Sequence, residues 1–188
     1  VMGDGIALPT IGAIEVFKSP QPAEFGSGYA SVNVKPMYLK KEGREVVADA
    51  SGGSFYTFSQ SVAAGIKKGP YDIYAVQSWA STDGHRDHSR AQQQNYYLNA
   101  GYDVLPNWSV RFLANSVEGQ TLAPMPETIP SPANSVSWPM AERFDTRPFL
   151  ATFSVNTSYA KATGYCTAYL IAVSFTNLPL PTISPFFL

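Results

Sequence analysis

The chain has 188 residues, a net charge of −1 and only 14% charged residues, against roughly 25% in ordinary soluble domains. This charge balance argues against a nucleic-acid partner, and the single cysteine, Cys166, excludes an internal disulfide. Aromatic residues reach 13%, and 14 glycines and 15 prolines indicate many turns. The composition is typical of an all-β protein with a large apolar surface.

Taken in chain order, eight segments are predicted to be strands, because they are rich in aromatic and β-branched residues and lack helical periodicity. They are Ile14–Phe17, Tyr29–Lys35, Val46–Gly53, Tyr56–Lys67, Tyr71–Ser81, Gln93–Leu105, Trp108–Ser116 and Arg147–Tyr159. The connections alternate in length. Lys67–Pro70 and Leu105–Asn107 are short, whereas Ser81–Gln92 and Val117–Thr146 are long.

The clearest alternation of apolar and polar residues lies in the sixth and seventh segments. Opposed residues of a hairpin must share a face, so a three-residue connection is predicted, pairing Val104 with Trp108 and Tyr102 with Val110. A two-residue connection would set Asp103 opposite Val110 and mix the faces. One face is then apolar: Leu98, Ala100, Tyr102, Val104, Trp108, Val110 and Phe112. The other is polar: Asn99, Asp103, Ser109, Arg111 and Asn115.

Strands of this length favour a membrane barrel over a soluble sandwich. Strands of soluble sheets are most often about 5–6 residues long. Membrane strands need about 9–11 residues, with short turns at one end and long loops at the other. Tyr102 and Trp108 flank a short turn, which is where a membrane barrel has an aromatic girdle.

Two stretches carry a family pattern, and the first is IGAIEVFKSPQPAEFGSGYASVNVKP, residues Ile11–Pro36. It resembles the end of the plug domain of TonB-dependent outer-membrane receptors, with its I-E-V-x-[RK]-G-P segment, aromatic-glycine pair and short strand. The matching residues here lie in Ile14–Pro20, Phe25–Gly26 and Val32–Val34, with Ser19 at the usual glycine.

The second stretch is Ser81–Ser89, followed by the turn Asn107–Trp108. It is similar to the first barrel strands of the same family, with their S-T-D-G-x-R-D-x-S loop and N-W turn. The resemblance implies that the aromatic side of the strands faces lipid of the bacterial outer membrane, while the polar side faces the lumen and plug. The short turns would then be periplasmic and the long loops external.

The resemblance implies transport and no enzyme activity. The expected ligand is a ferric siderophore or a similarly scarce compound, with no cofactor. The TonB complex would act only on the full-length protein. The implied substrate-binding residues are His85, Arg86 and His88 in an external loop, and Tyr97 and Arg111.

The loop DGHRDHS also has the side chains of a divalent-ion site: Asp83, His85, Asp87 and His88. A solvated loop tip that turns at Gly84 is the interpretation we favour, so no metal site is predicted. The sequence also contains no motif for nucleophilic catalysis, because it lacks a G-x-S-x-G segment.

The predicted fold class is all-β: antiparallel strands of an incomplete transmembrane β-barrel, preceded by the C-terminal end of a plug domain. Residues 1–40 are assigned to the plug and 41–160 to roughly six barrel strands. Such transporters have about 22 strands, so we expect the chain to be a fragment. Residues 161–188 are expected to be an irregular, apolar, proline-rich tail, either a frame-shifted extension or an ordinary loop.

The plug segment Ile11–Pro36 is expected to pack on the polar side of the strands. There Arg111 lies opposite Gly101, which leaves room for its side chain; Glu15 is its expected partner and Asp103 the competing one. Two other interpretations stay open. One is a soluble β-sheet binding module whose aromatic side recognises a carbohydrate or a partner; the other is an oligomeric barrel to which each chain gives a few strands.

Overall fold

The computed structural model describes residues 8–18, 30–86, 88–124, 141–159 and 162–179. Within these ranges the chain is all-β, as predicted, and a 3-10 turn at Leu8–Thr10 precedes nine strands. The strands are β1 (Ile11–Lys18), β2 (Ala30–Pro36), β3 (Gly43–Gly53), β4 (Thr57–Lys68), β5 (Tyr71–Thr82), β6 (Ala91–Leu105), β7 (Trp108–Pro124), β8 (Ala141–Tyr159) and β9 (Ala162–Pro179). None of the described residues forms a helix long and apolar enough to cross a membrane.

The strands form two antiparallel sheets. β1 and β2 make a hairpin, and β3 to β9 make a seven-stranded sheet in which each strand lies beside its neighbours in sequence. At one end of this sheet the connections are short: residues 69–70, 106–107 and 160–161. At the other end, which we call the loop end, they are residues 54–56, 83–90 and 125–140. Long connections therefore occur only at the loop end, as predicted.

The register of the β6–β7 hairpin is the predicted one along most of its length. Tyr102 pairs with Val110, and Asp103 pairs with Ser109. At the turn the prediction is wrong, because Leu105 pairs with Trp108 around a two-residue connection. The register shifts between Asp103 and Leu105, so the residue between them is a β-bulge. The bulge absorbs the one-residue offset that would otherwise exchange the two faces.

The seven-stranded sheet has two unlike faces. On β6, Tyr97 and Asn99 point to one face and are buried, and we call it the covered face. Tyr96, Leu98 and Tyr102 point to the other face and are 38–48% exposed, so we call it the exposed face. The small core lies on the covered face: Ala63, Tyr74, Val76 and Tyr97, against which Met37, Leu39 and Leu113 pack.

The prediction of an irregular tail is wrong for residues 162–179, which form β9 and pair with β8 along its length. Alternation is missing from this segment because both of its faces are apolar, with Tyr169 and Ile171 on one face and Leu170 on the other. Pro179 ends β9, and β9 is an edge strand, where a sheet tolerates proline. The rest of the predicted tail lies outside the described residues.

The predicted contact between Glu15 and Arg111 is wrong, because Glu15 finds its partners within the β1–β2 hairpin. Lys35 Nζ donates to one oxygen of the Glu15 carboxylate, and Asn33 Nδ2 donates to the other at 3.2 Å. Glu15 and Asn33 are paired in the hairpin register. The hydrogen bond from Lys35 outweighs partial desolvation and lowers the pKa of Glu15 from its usual value.

We expect Lys35→Gln to raise the pKa of Glu15 toward its usual value. Folding lowers the pKa of Glu15, so the ionised carboxylate stabilises the folded chain. This contribution to the free energy of unfolding is fully present above the unfolded-state pKa and is lost as the pH falls through the folded-state pKa. A carboxyl-carbon NMR titration of the chain would measure the change. Lys18→Gln removes a charge elsewhere in the same hairpin and serves as the control. An unchanged titration in the Lys35 variant would contradict the assignment.

Candidate functional site

A hydrogen-bond network centred on Arg111 crosses three strands of the covered face. Asp72 on β5, Gly101 on β6 and Arg111 on β7 lie at one level of the register. Arg111 Nη1 and Nη2 donate to the two carboxylate oxygens of Asp72 at 2.8 and 2.9 Å. Nη1 also donates to Asn99 Oδ1 at 2.8 Å. The Asp72 side chain is only 3% exposed, so its charge depends on this arginine for compensation.

Gly101 makes the bridge between β5 and β7 possible. A Cβ at this position would lie 2.6 Å from Arg111 Nη2 and closer still to Asp72 Oδ2. The predicted opening opposite Gly101 is therefore confirmed, but the predicted partners of Arg111 are wrong. Asp103 instead accepts a hydrogen bond from Lys67 Nζ at 3.4 Å.

The same network holds the segment that follows β2. Tyr97 Oη and Asn99 Nδ2 donate to the carbonyl oxygen of Met37 at 2.9 and 3.0 Å. The guanidinium carbon of Arg111 lies 3.8 Å from the centre of the Tyr38 ring, within cation–π range. Polar and aromatic contacts from β6 and β7 therefore anchor residues 37 and 38 to the sheet.

Apolar contacts extend this anchor by one residue. Met37 and Leu39 pack against the core of the covered face. A Cβ on Gly65 would lie 2.9 Å from Leu39 Cδ1, so this glycine lets the segment approach β4 closely. The structure thus places Met37–Leu39 on the polar side of the strands, and the expectation for Ile11–Pro36 itself stays a prediction.

Two of the five predicted substrate-binding residues, Tyr97 and Arg111, are brought together through Asn99, which donates to Tyr97 Oη at 2.9 Å and accepts from Arg111. The sequence analysis did not predict that Asp72 and Tyr38 belong to this network, in which both contact Arg111. Because Arg111 is held by Asp72 and Asn99 and lies against the Tyr38 ring, the arrangement is suited to anchoring the segment Met37–Leu39. A role in ligand contact stays a prediction.

The other three predicted residues lie in the 83–90 connection at the loop end. His85 is exposed and meets Phe55 edge-on, with ring centroids 6.3 Å apart. His88 has a positive φ of 61°, and the amide of Arg86 donates to Ser89 Oγ at 3.2 Å. The loop is thus separated from Tyr97 by at least the start of β6, about 20 Å of strand at about 3.4 Å per residue. Among the described residues no group of three possible metal ligands occurs.

The exposed face carries an apolar band that crosses the five strands β4 to β8. Cross-strand registers place its side chains in rows, so that Ile66, Ile73, Ala100, Phe112 and Phe153 fall at one level. The largest of them remain exposed, including Ile73, Phe112 and Phe153 at 47, 41 and 50%. A contiguous patch of this kind marks a surface that another apolar medium or partner covers.

Aromatic side chains mark both ends of the band. At the short-turn end Tyr71 stacks on Tyr102 with ring centroids 4.8 Å apart, and Trp108 Nε1 donates to Tyr159 Oη at 2.9 Å. At the loop end Trp79 lies against Phe58, with centroids 5.8 Å apart. The band therefore has a defined height, set by the interval between the two groups of rings.

Comparison of the chain with protein-family models, curated proteins and solved structures gives no match.

Proposed function

We propose that the chain forms part of the wall of a TonB-dependent outer-membrane receptor that takes up ferric siderophores or a similarly scarce ligand. The observation that supports this best is the apolar exposed face, because lipid would remove from water the side chains that the described residues leave uncovered. On β6 and β7 the opposite face is largely polar, and it holds Met37–Leu39, the segment that follows the plug-like residues. On β9 the same face carries exposed apolar side chains, among them Tyr169 and Phe175.

The dimensions of the apolar band support the same proposal. On β5, Tyr71 and Trp79 mark its two ends and are eight positions apart. At about 3.4 Å per residue they are separated by about 27 Å along the strand. A tilt of about 40° reduces this separation to a height of about 21 Å, close to the apolar band of about 25 Å in outer-membrane barrels.

The number of strands supports an incomplete barrel. Bacterial single-chain barrels have an even number of antiparallel strands, because the first and last strands must also run in opposite directions. The described sheet has seven strands, so β3 and β9 run in the same direction. An odd number of further strands is needed to close an antiparallel barrel around the covered face.

The same geometry argues against a ring of identical chains. If copies share one orientation in the membrane, β9 of one copy lies beside β3 of the next. The two edges would then pair in parallel, unlike every pair in the described sheet. Completion by different strands therefore suits the sheet better than completion by further copies.

Membrane association tests the proposal directly. The full chain should require detergent for solubility and should float with lipid vesicles in a density gradient, because the apolar band would otherwise face water. Vesicles without chain and chain without vesicles give the controls. A chain that stays monomeric in aqueous buffer and does not float would instead support the soluble binding module.

We expect the isolated chain to bind ferric siderophores no more tightly than about 1 mM. Small-molecule sites bury about 70–90% of their ligand, and an open sheet of seven strands encloses far less. Isothermal titration in detergent would measure the dissociation constant, with the iron-free siderophore as control. A micromolar value would show that the ligand site lies within this chain, contrary to the fragment interpretation.

A further inference from the structure

A polar pocket of about 190 Å³ lies at the loop end of the exposed face, beyond the apolar band. Strands β5 to β8 each contribute to it. The side chains that matter here are Trp79, Gln94, Glu118, Arg143, Asp145 and Arg147. Two arginines and two carboxylates give the pocket no net charge, and they divide into a paired and an unpaired set.

The paired set is Arg143 and Asp145. Arg143 Nε donates to Asp145 Oδ1 at 3.0 Å, and Gln120 Nε2 donates to the same oxygen at 3.2 Å. Glu118 and Arg147 form the unpaired set. They fall at one level between the pairs Ser116–Phe149 and Gly119–Thr146. In the described part of the chain, neither side chain has a hydrogen bond or a salt bridge, although the charge of Arg147 also acts on Asp145 from a greater distance.

An apolar groove of about 500 Å³ begins immediately below the pocket. Its walls on the exposed face include Val62, Tyr96, Leu98 and Phe149, and its floor includes Ala114. At the lower edge of the pocket, a pocket residue and a groove residue lie two positions apart on the same strand and therefore share a face. Phe149 follows Arg147 in this way, and Tyr96 follows Gln94. The pocket and groove are therefore continuous.

We propose that the pocket and groove together bind one phospholipid whose head group carries both a phosphate and a primary amine. Resting on the proposed membrane location, this inference adds a specific lipid site. The phosphate accepts hydrogen bonds from Arg147, whose planar guanidinium matches a phosphate in geometry. The ammonium donates to Glu118, and an acyl chain fills the groove below.

The charge arrangement selects this head group over two others. A purely anionic head group would place its charge beside Glu118 without an ammonium to compensate it. A quaternary ammonium has no N–H to donate to that carboxylate. The neutral sum of the four ionisable side chains suits a head group whose own charges cancel, and the unpaired arginine and glutamate supply one partner for each of its charges.

The test uses the full chain in a phosphate-free detergent, titrated with phosphatidylethanolamine, while native mass spectrometry counts the bound lipid. Parallel titrations use phosphatidylcholine, phosphatidylglycerol and inorganic phosphate. We expect phosphatidylethanolamine to be retained about tenfold better than either other lipid, since charge-assisted hydrogen bonds are lost with both. Arg147→Gln and Glu118→Gln should each lower its retention about tenfold. Arg44→Gln, on the exposed face of β3, should leave it unchanged.

Equal retention of the three lipids, indifference to both pocket variants, or displacement by inorganic phosphate alone would overturn the lipid site. Flotation of the same preparation with vesicles separates this outcome from failure of the proposed function. A chain that floats without lipid preference retains its membrane location and loses only the specific site. A chain that does not float overturns both proposals.

Discussion

Replacing Arg111 by alanine is expected to lower the free energy of unfolding by about 3–5 kcal/mol, the range found when one partner of a buried ion pair is removed. The Asp72 side chain is only 3% exposed, so the variant would leave its carboxylate buried without a compensating charge. The Tyr38 ring and Asn99 would lose a contact at the same time. Denaturant unfolding in detergent, followed by tryptophan fluorescence, would measure the loss.

Two further variants separate this explanation from a general effect of removing an arginine. Arg143→Ala breaks an ion pair whose side chains are 40% and 22% exposed. It should therefore cost less than about 1 kcal/mol. In the double variant Asp72→Ala/Arg111→Ala no buried charge remains, so it should be more stable than Arg111→Ala alone. Equal losses for Arg111→Ala and Arg143→Ala, or no recovery in the double variant, would contradict the assigned role of Asp72.

The all-β fold and the two faces of the sheet could be predicted from the sequence because the signal is local. From Tyr96 to Val104 on β6, residues of one parity are apolar and those of the other are mostly polar, and this period of two identifies a strand with unlike faces. The register of β6 on β7 also followed, because a three-residue connection keeps opposed residues on a common face and a two-residue connection without a bulge does not. The bulge near Val104 did not, because a two-residue turn with a bulge gives the same pairing farther along.

The partner of Arg111 could not be predicted from the sequence, for a different reason. Asp72 lies on β5, and the connection from β5 to β6 is too long for turn geometry to set the register of these strands. The sequence therefore gave no reason to align Asp72 with Gly101. Asp103 looked closer along the sheet, but Lys67 on β4 reaches it instead. The sequence pattern predicted only that Gly101 leaves room for the side chain of Arg111.

The strand β9 was missed because prediction relied on alternation. An edge strand that is apolar on both faces has no period of two, and the prolines of the tail, which begin at Pro179, suggested irregular structure. Its backbone pairs with β8 throughout, so hydrogen bonding along a long neighbouring strand holds it in place. A length of 18 residues, matched to the 19 of β8, is a tertiary property that the local pattern does not carry.

The function of the exposed face depends on whether lipid or water covers it. Phe112→Arg tests this, and we expect it to lower the stability of the protein strongly. Phe112 lies inside the apolar band, four positions from Trp108 on β7, and is 41% exposed. If lipid covers this row, an arginine there should destabilise the inserted protein by about 2–4 kcal/mol, as found near the bilayer midplane. Urea titration of folding into vesicles would measure this difference.

The control for Phe112→Arg is Ser109→Arg, which places the same charge on β7 but on the covered face. Ser109 pairs with Asp103, so the added guanidinium has a carboxylate within reach and a polar surrounding. Its cost should therefore be smaller than that of Phe112→Arg. In a water-soluble sheet, by contrast, an arginine at the exposed Phe112 position would be solvated and nearly neutral in stability. Equal effects at the two positions, or a neutral Phe112→Arg, would count against lipid as the medium that covers this face.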